Sequence, residues 1–489
     1  MKKKALAFDF GASSGRAILG SFDGERIHLE EIHRFDNNPV ILRGTHYWDV
    51  LNLFAEILTG LRKAAQTGAF ESVGIDTWGV DFGLLDQNDS LLQNPVHYRD
   101  LRTKGLIPIA EAALSEKSLY QRTGIQLMEL NTIFQLFSLA REHPELLSSG
   151  HSALLMPDLF GYFLTGKKVS EFSIASTTQL MNPYTKTWDT ELMATLGIPA
   201  DILPPIVPSG TTLGPISDEI KNDLGLGCVD VISVAGHDTA SAIVAVPSTD
   251  EDFIYISCGT WSLFGMETTA PIINEKTEKY NLTNEGGYGG TTCFLKNIIG
   301  LWLIQETRRQ YKREGLEYSY GDLEKLALAA EPFQFFIDPD APEFVPAGNL
   351  PRRIREFCER TGQGSPQSIG EIVRCIYESI ALKYRYTFEQ LIDCTERTCK
   401  HIHMVGGGTK DNLLCQMAAN ATSVPIIAGP IEATALGNLA VQFIARGDIR
   451  DIWHARQIVL NSFEALHYAP VETAEWNDAF EKYKQFVAG

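Results

Sequence analysis

The sequence predicts an α/β protein of two duplicated domains, and three observations carry that expectation. The chain has 489 residues, roughly three times an average domain, so two large or three smaller domains are expected. A strand, a Gly/Ser turn and a second strand open the chain over residues 5–22, and the same unit recurs over 253–267. Between them the polar run Pro247-Ser248-Thr249-Asp250-Glu251-Asp252 marks the expected boundary, with domains over 1–246 and 253–489.

Residues 5–10 form an apolar strand pattern that enters Gly11-Ala12-Ser13-Ser14-Gly15 and leaves as a second strand over 16–22, which makes a hairpin. A dinucleotide fold or a P-loop needs its glycine turn to open a helix, and the chain has neither GxGxxG nor GK[ST]. A short buried strand over 72–75 runs into Asp76-Thr77-Trp78-Gly79-Val80-Asp81-Phe82. Helical spacing fills 127–149 and 152–165, with Pro144 and Pro157 as interruptions. A strand over 230–235 precedes Gly236-His237-Asp238 and a helix over 239–246. After the break, a strand over 253–258, the turn Gly259-Thr260-Trp261-Ser262 and a strand over 263–267 repeat the opening unit. Helices are expected over 365–400 and 411–422, with a strand over 401–405 between them.

Composition narrows the function classes. With 42 Lys+Arg against 61 Asp+Glu, a net charge of −19 repels nucleic-acid backbones and anionic lipid. No run of eighteen apolar residues exists, and Asp9 cuts the apolar stretch after Met1-Lys2-Lys3-Lys4 too early for a signal peptide. A cytoplasmic protein is expected. The eight cysteines contain no CxxC pair and read as reduced, mostly core thiols.

Two Gly/Ser hairpin turns at the starts of matching domains offer backbone N–H groups and hydroxyls to a polyphosphate. Asp9 stands just before the first turn. A carboxylate beside phosphate is tolerated when Mg2+ lies between them, although an aspartate there can also cap its own turn. Cys258 is read in the matching place of the second half. Asp238 follows a strand and opens a helix, as an N-cap or as the carboxylate that accepts the proton of an attacking sugar hydroxyl. His237 beside it can hydrogen-bond a sugar hydroxyl. The triple glycine Gly406-Gly407-Gly408, between a buried strand and a helix, lets a flat or charged ligand approach the backbone. Asp76 to Asp81 read either as a sugar pocket with an aromatic face and fixed acceptors or as a turn anchored by Trp78.

Together these segments resemble the FGGY family of carbohydrate kinases, within the sugar kinase, heat-shock ATPase and actin superfamily. Asp9 to Arg16 resembles its first phosphate motif, Ser257 to Ser262 its second, and Val405 to Gly408 its adenosine motif. The resemblance implies two actin/hexokinase-like (ribonuclease H-like) domains with ATP in an interdomain cleft. It implies Asp238 as proton acceptor, with Gly79, His237, Thr239 and Asn297 at the sugar. ATP would lie on Ala12, Ser13, Ser14, Gly15, Arg16, Thr260, Gln305 and Gly407, with Asp9 toward Mg2+. The resemblance extends to the segments 74–82, 236–242, 296–302 and 429–434, and these imply phosphorylation of the 1-hydroxyl of a ketose, L-rhamnulose. A cysteine bridge of one relative maps onto Cys358 and Cys375. The competing readings are a kinase of another ketose, L-fuculose or xylulose, and an actin- or heat-shock-like ATPase that no sugar stimulates.

Overall fold

The computed structural model describes residues 2–250 and 252–487, so Glu251 of the expected break, Met1 and the last two residues lie outside it. Two compact units emerge. One gathers Met1–Thr249, Glu267–Phe294 and Ala433–Phe463; the other gathers Asp250–Met266, Leu295–Glu432 and Glu464–Gly489.

The first unit is organised by a six-stranded sheet in the order Thr211–Pro215, Asp230–Ser233, Ser72–Thr77, Lys3–Phe10, Ser14–Phe22, Ile27–Asp36. The expected hairpin is present: Lys3–Phe10 pairs antiparallel with Ser14–Phe22, and parallel with Ser72–Thr77 on its other side. A parallel neighbour on one side and crossover helices above make the strand apolar on both faces, and residues 5–10 are all buried. The helix Val50–Thr67 covers it with Val50, Leu53, Ile57, Leu61 and Ala64, a helical stripe fixed at its start by Asp49, whose side chain accepts from the Asn52 N–H.

In the second unit six strands of the other sheet run in the order Thr292–Ile299, Trp261–Thr268, Ile254–Cys258, Ile402–Val405, Ile426–Ala428, Leu466–Tyr468. Ile254–Cys258 pairs antiparallel with Trp261–Thr268 and parallel with Ile402–Val405. The antiparallel hairpin with a parallel third strand is thus common to both units. Counted back from the turn glycines, Gly11 and Gly259, the residue matching Asp9 is Ser257, and Cys258 matches Phe10. The helix Ile369–Thr395 starts with a capping box between Ser368 and Glu371.

Two expected helical stretches are shorter. Thr132–Glu142 begins after Asn131, so 127–131 is not helical, and Ser152–Leu155 is a strand paired with Phe82–Leu85. Pro144 and Pro157 open helices, Pro144–Ser149 and Met156–Thr165, instead of interrupting them. A first-turn residue has no intrahelical N–H partner to lose, which is where proline fits. Among the described residues no helix is long and apolar enough to cross a membrane, and all eight cysteines, Cys358 and Cys375 included, are free thiols.

Candidate active site

The first turn is built tightly. Gly11 N–H donates to the Ser14 carbonyl at 2.9 Å, and Asn37 braces the turn from outside, its backbone N–H on Ser13 O and its side-chain amide on Gly11 O. A β-carbon on Gly15 would lie 2.2 Å from the Phe35 ring, so only glycine fits there. Ala12 and Ser14 stay half-exposed and Ser13 exposed. Asp9 and Arg16 face each other across the hairpin register and meet at 2.5 Å. The structure thus places Asp9, Ala12, Ser13, Ser14, Gly15 and Arg16 around one turn.

The second turn is held by Gly259 N–H on Trp261 O. The helix Trp302–Arg313 docks on it: Trp302 N–H donates to Thr260 O at 3.1 Å and Leu301 N–H to Gly259 O at 3.1 Å. That docking brings Gln305 to Thr260, with Thr260 Oγ1 donating to Gln305 Oε1 at 3.5 Å. In the triple glycine, Gly406 needs its φ of 90°. A β-carbon on Gly408 would lie 2.2 Å from Cys258 Sγ, whereas one on Gly407 would meet nothing within 4 Å. Gly407 is therefore the open position. Gly408→Ala is expected to lose roughly 1–3 kcal/mol of stability by overpacking while Gly407→Ala stays within about 0.5 kcal/mol of the parent, as read by thermal denaturation.

Asp238 begins the helix Asp238–Val244, with His237 at the N-cap making no side-chain cap bond. The aspartate is therefore not the capping residue. His237 Nε2 lies 3.4 Å from Asp238 Oδ1, and Thr239 Oγ1 donates to the same oxygen at 3.2 Å. On the other side of the ring, His237 Nδ1 lies 3.2 Å from Glu285 Oε2. Burial raises the Asp238 pKa, the His237 charge pulls it down, and Asp9 raises it further. For His237 burial disfavours the cation, but Glu285, Asp238 and Glu171 outweigh it and its pKa is raised. Behind it Glu171, fully buried, accepts from Gly236 N–H at 2.9 Å, from Ser173 N–H at 2.9 Å and from Ile174 N–H at 3.1 Å. It fixes the chain just before His237.

The segment 76–81 joins this site through Thr77, which bridges His237 and donates its N–H to Gly236 O at 2.9 Å. Val80 has φ 67°, a conformation rare for a β-branched residue. It is held by Thr177, whose Oγ1 accepts its N–H at 3.1 Å, and by Thr132, whose hydroxyl donates to its carbonyl at 2.7 Å. Strain held from both sides is a mark of functional segments, and it sits next to Gly79, where a β-carbon would meet Thr177 at 3.2 Å. The acceptors read as sugar-facing turn inward, however. Asp81 takes the indole N–H of Trp48 at 2.6 Å and of Trp78 at 3.0 Å, and burial pushes its pKa up to about 6. Trp78 and Asp81 therefore build the anchored turn, one of the two readings of this stretch. Asp76 accepts from Asn438 at 2.6 Å and is buried. Asn297 lies half-buried in the strand Thr292–Ile299.

Sequence reasoning did not single out Glu285, Glu171, Asn438 or Gln442. A signal existed for the last two: polar residues at i and i+4 in the otherwise apolar helix Ala433–Ala445. Among the described residues no group of three or more His, Cys, Asp or Glu side chains is arranged to enclose a metal ion.

A half-buried carboxylate beside a histidine at a helix start, together with small-residue hairpin turns in both units, suits a sugar kinase. Residues 4–245 match the N-terminal domain, and 254–446 the C-terminal domain, of the FGGY family of carbohydrate kinases, and the chain belongs to that family. It is 43% identical over 488 residues to a rhamnulokinase of Bacteroides thetaiotaomicron, spanning 100% of both chains. It is 45% identical to a rhamnulokinase of Enterococcus faecalis, over 99% of this chain and 98% of that one. Among solved structures a ligand-bound xylulose kinase from Lactobacillus acidophilus superposes with a TM-score of 0.82 at 20% identity, covering 99% of this chain and 97% of that one. A Plasmodium falciparum glycerol kinase with ADP gives 0.77 at 16% identity, covering 99% and 98%. These structural matches speak for the fold, that of two-domain α/β kinases.

Proposed function

We propose that this chain transfers the γ-phosphoryl group of ATP to the 1-hydroxyl of L-rhamnulose, giving L-rhamnulose 1-phosphate and ADP in the breakdown of L-rhamnose. The observation that carries the chemistry is Asp238, a half-buried carboxylate whose two side-chain contacts fall on Oδ1, with the side chain 33% exposed. Oδ2 takes the hydroxyl proton as the sugar oxygen bonds to the γ-phosphorus and the bond to the β-phosphate oxygen breaks, leaving ADP. His237, Thr239, Gly79 and Asn297 contact the sugar. In the first unit, residues 12–16 carry the phosphates; in the second, Thr260, Gln305 and Gly407 carry the nucleotide. The choice of ketose is supported by the end-to-end identity to relatives named rhamnulokinases.

Asp9, a single carboxylate 7% exposed beside the first turn, fits Mg2+, which takes most of its ligands from phosphate oxygens and water. That ion, when bound, neutralises charge on the transferring phosphoryl group. Free thiols throughout suit a reducing compartment, and the cytoplasm is the proposed location. The halves 1–246 and 253–489 are proposed as products of a duplication, supported by the hairpin and parallel strand common to both.

The test is a panel of ketoses with Mg-ATP, followed by coupled detection of ADP. L-Rhamnulose is expected to give a kcat/KM at least about 10-fold above L-fuculose and xylulose, since one or two well-placed hydroxyl contacts discriminate by at least that much. A higher value with either rival reassigns the substrate, and ADP release that no ketose stimulates removes the kinase reading.

A further inference from the structure

The strand Thr283–Gly286 lies wholly buried, and Glu285 is its one ionisable residue. Its backbone is pinned on both sides. Asn284 donates its N–H to Gly124 O at 2.9 Å and its side-chain amide to the same carbonyl at 3.0 Å, while Gly286 N–H donates to Ser176 Oγ at 2.7 Å. A β-carbon on Gly286 would lie 2.7 Å from the Phe172 ring, so the strand packs against the helix Phe172–Ser176 with no room for a side chain there. The carboxylate reaches His237 Nδ1 at 3.2 Å, and the opposite ring nitrogen is 3.4 Å from Asp238 Oδ1. An imidazole between two carboxylates, one on each nitrogen, has its orientation and tautomer chosen by the partner that is fixed.

We propose that Glu285 is a positioning residue for phosphoryl transfer: it accepts the Nδ1–H of His237 and so aims Nε2 at Asp238 Oδ1 and the neighbouring sugar hydroxyl. This rests on Asp238 being the proton acceptor. Held this way, the pair favours the cation of His237, and that charge pulls down an Asp238 pKa that burial and Asp9 raise. The groups acting on His237 are Glu285, Asp238 and Glu171, and those acting on Asp238 are His237, Asp9 and Asp76. Of these, Glu285 is the one that sets the ring without itself meeting the sugar or the phosphates. Burial in a stiff strand suits that task, because a carboxylate on a loop would let the ring turn.

Three variants, and one spectroscopic measurement assigned with a fourth, test this on the full-length chain. Glu285→Gln keeps shape and removes the charge; kcat is expected to fall roughly 10- to 100-fold, the range for removing a carboxylate that orients a histidine, with KM for ATP within about twofold. The acid limb of kcat/KM should move to higher pH, because a less charged His237 lets Asp238 hold its proton more tightly. Glu285→Asp, which keeps the carboxylate, should return that limb toward the parent's position. An unmoved acid limb in Glu285→Gln, or a loss of activity that only follows lower thermal stability, overturns the proposal. Independently of any variant's folding, 15N spectra of the imidazoles in the parent, with His237 assigned from His237→Gln, should show neutral His237 as the Nδ1–H tautomer. The Nε2–H tautomer overturns it. Asp238→Asn separates the two readings: if it leaves turnover intact the base assignment falls, whereas its collapse alongside an unresponsive Glu285→Gln removes the Glu285 proposal alone.

Discussion

Replacing Asp238 with Asn is expected to lower kcat by about 10²- to 10⁴-fold while the affinity for ATP changes less than about twofold. The amide keeps the size of the side chain and can still accept from Thr239 on its oxygen, so the helix start stays intact. What disappears is a site for the sugar's proton, equivalent to about 3–5 kcal/mol of barrier. Single-turnover phosphorylation measured beside nucleotide titration calorimetry separates the two quantities. Equal loss of ATP affinity and turnover would mean that Asp238 shapes the site without taking the proton.

Gly437→Ala is expected to be the most damaging substitution of a residue distant from any ligand. A β-carbon there would lie 1.7 Å from the Ser241 carbonyl oxygen, and that atom is backbone of the helix Asp238–Val244. Rotating a side chain cannot relieve the clash; one helix must shift. Overpacking of this kind costs about 3 kcal/mol, and the helix that moves carries Asp238, so turnover and unfolding midpoint should fall together. Denaturant unfolding with kcat on the same preparations checks it, and a variant with unchanged stability would show that the two helices tolerate more separation than their packing suggests.

Much of this site was legible because it is local. Small residues between two apolar strands announce a hairpin within a few positions, and Gly11 to Gly15 and Gly259 to Ser262 proved to be turns of that kind. Asp9 and Asp238 were visible as charges at the ends of buried strands. Glu285 was not, because a lone glutamate gains meaning only from His237, 48 positions earlier, which the fold brings to its carboxylate. The stretch 76–81 shows the opposite difficulty. Tryptophan and aspartate together suit both a sugar and a buried indole N–H on a carboxylate, and composition cannot tell which way Asp81 points. The structure points it inward, to Trp48 and Trp78. Helical spacing likewise predicted too much helix at 152–155, where four residues are enough for a strand once Phe82–Leu85 supplies the hydrogen bonds.

The helix Ala433–Ala445 bears on how the chain acquires its structure in time. Gln442 donates to the Leu6 carbonyl at 3.0 Å and accepts from Ser72 at 2.8 Å, and Asn438 donates to Asp76 at 2.6 Å, with all four side chains buried. Buried polar groups left without such partners are costly. The strands Lys3–Phe10 and Ser72–Thr77 therefore wait for a helix whose partner residues lie 362 to 436 residues further along the chain before their polar contacts close, at roughly 5–20 residues per second tens of seconds on. A polypeptide released short of residue 433 carries the first hairpin turn and Asp238 on a sheet that still lacks the helix closing its buried polar contacts. Activity is therefore expected only once nearly the whole chain has been made.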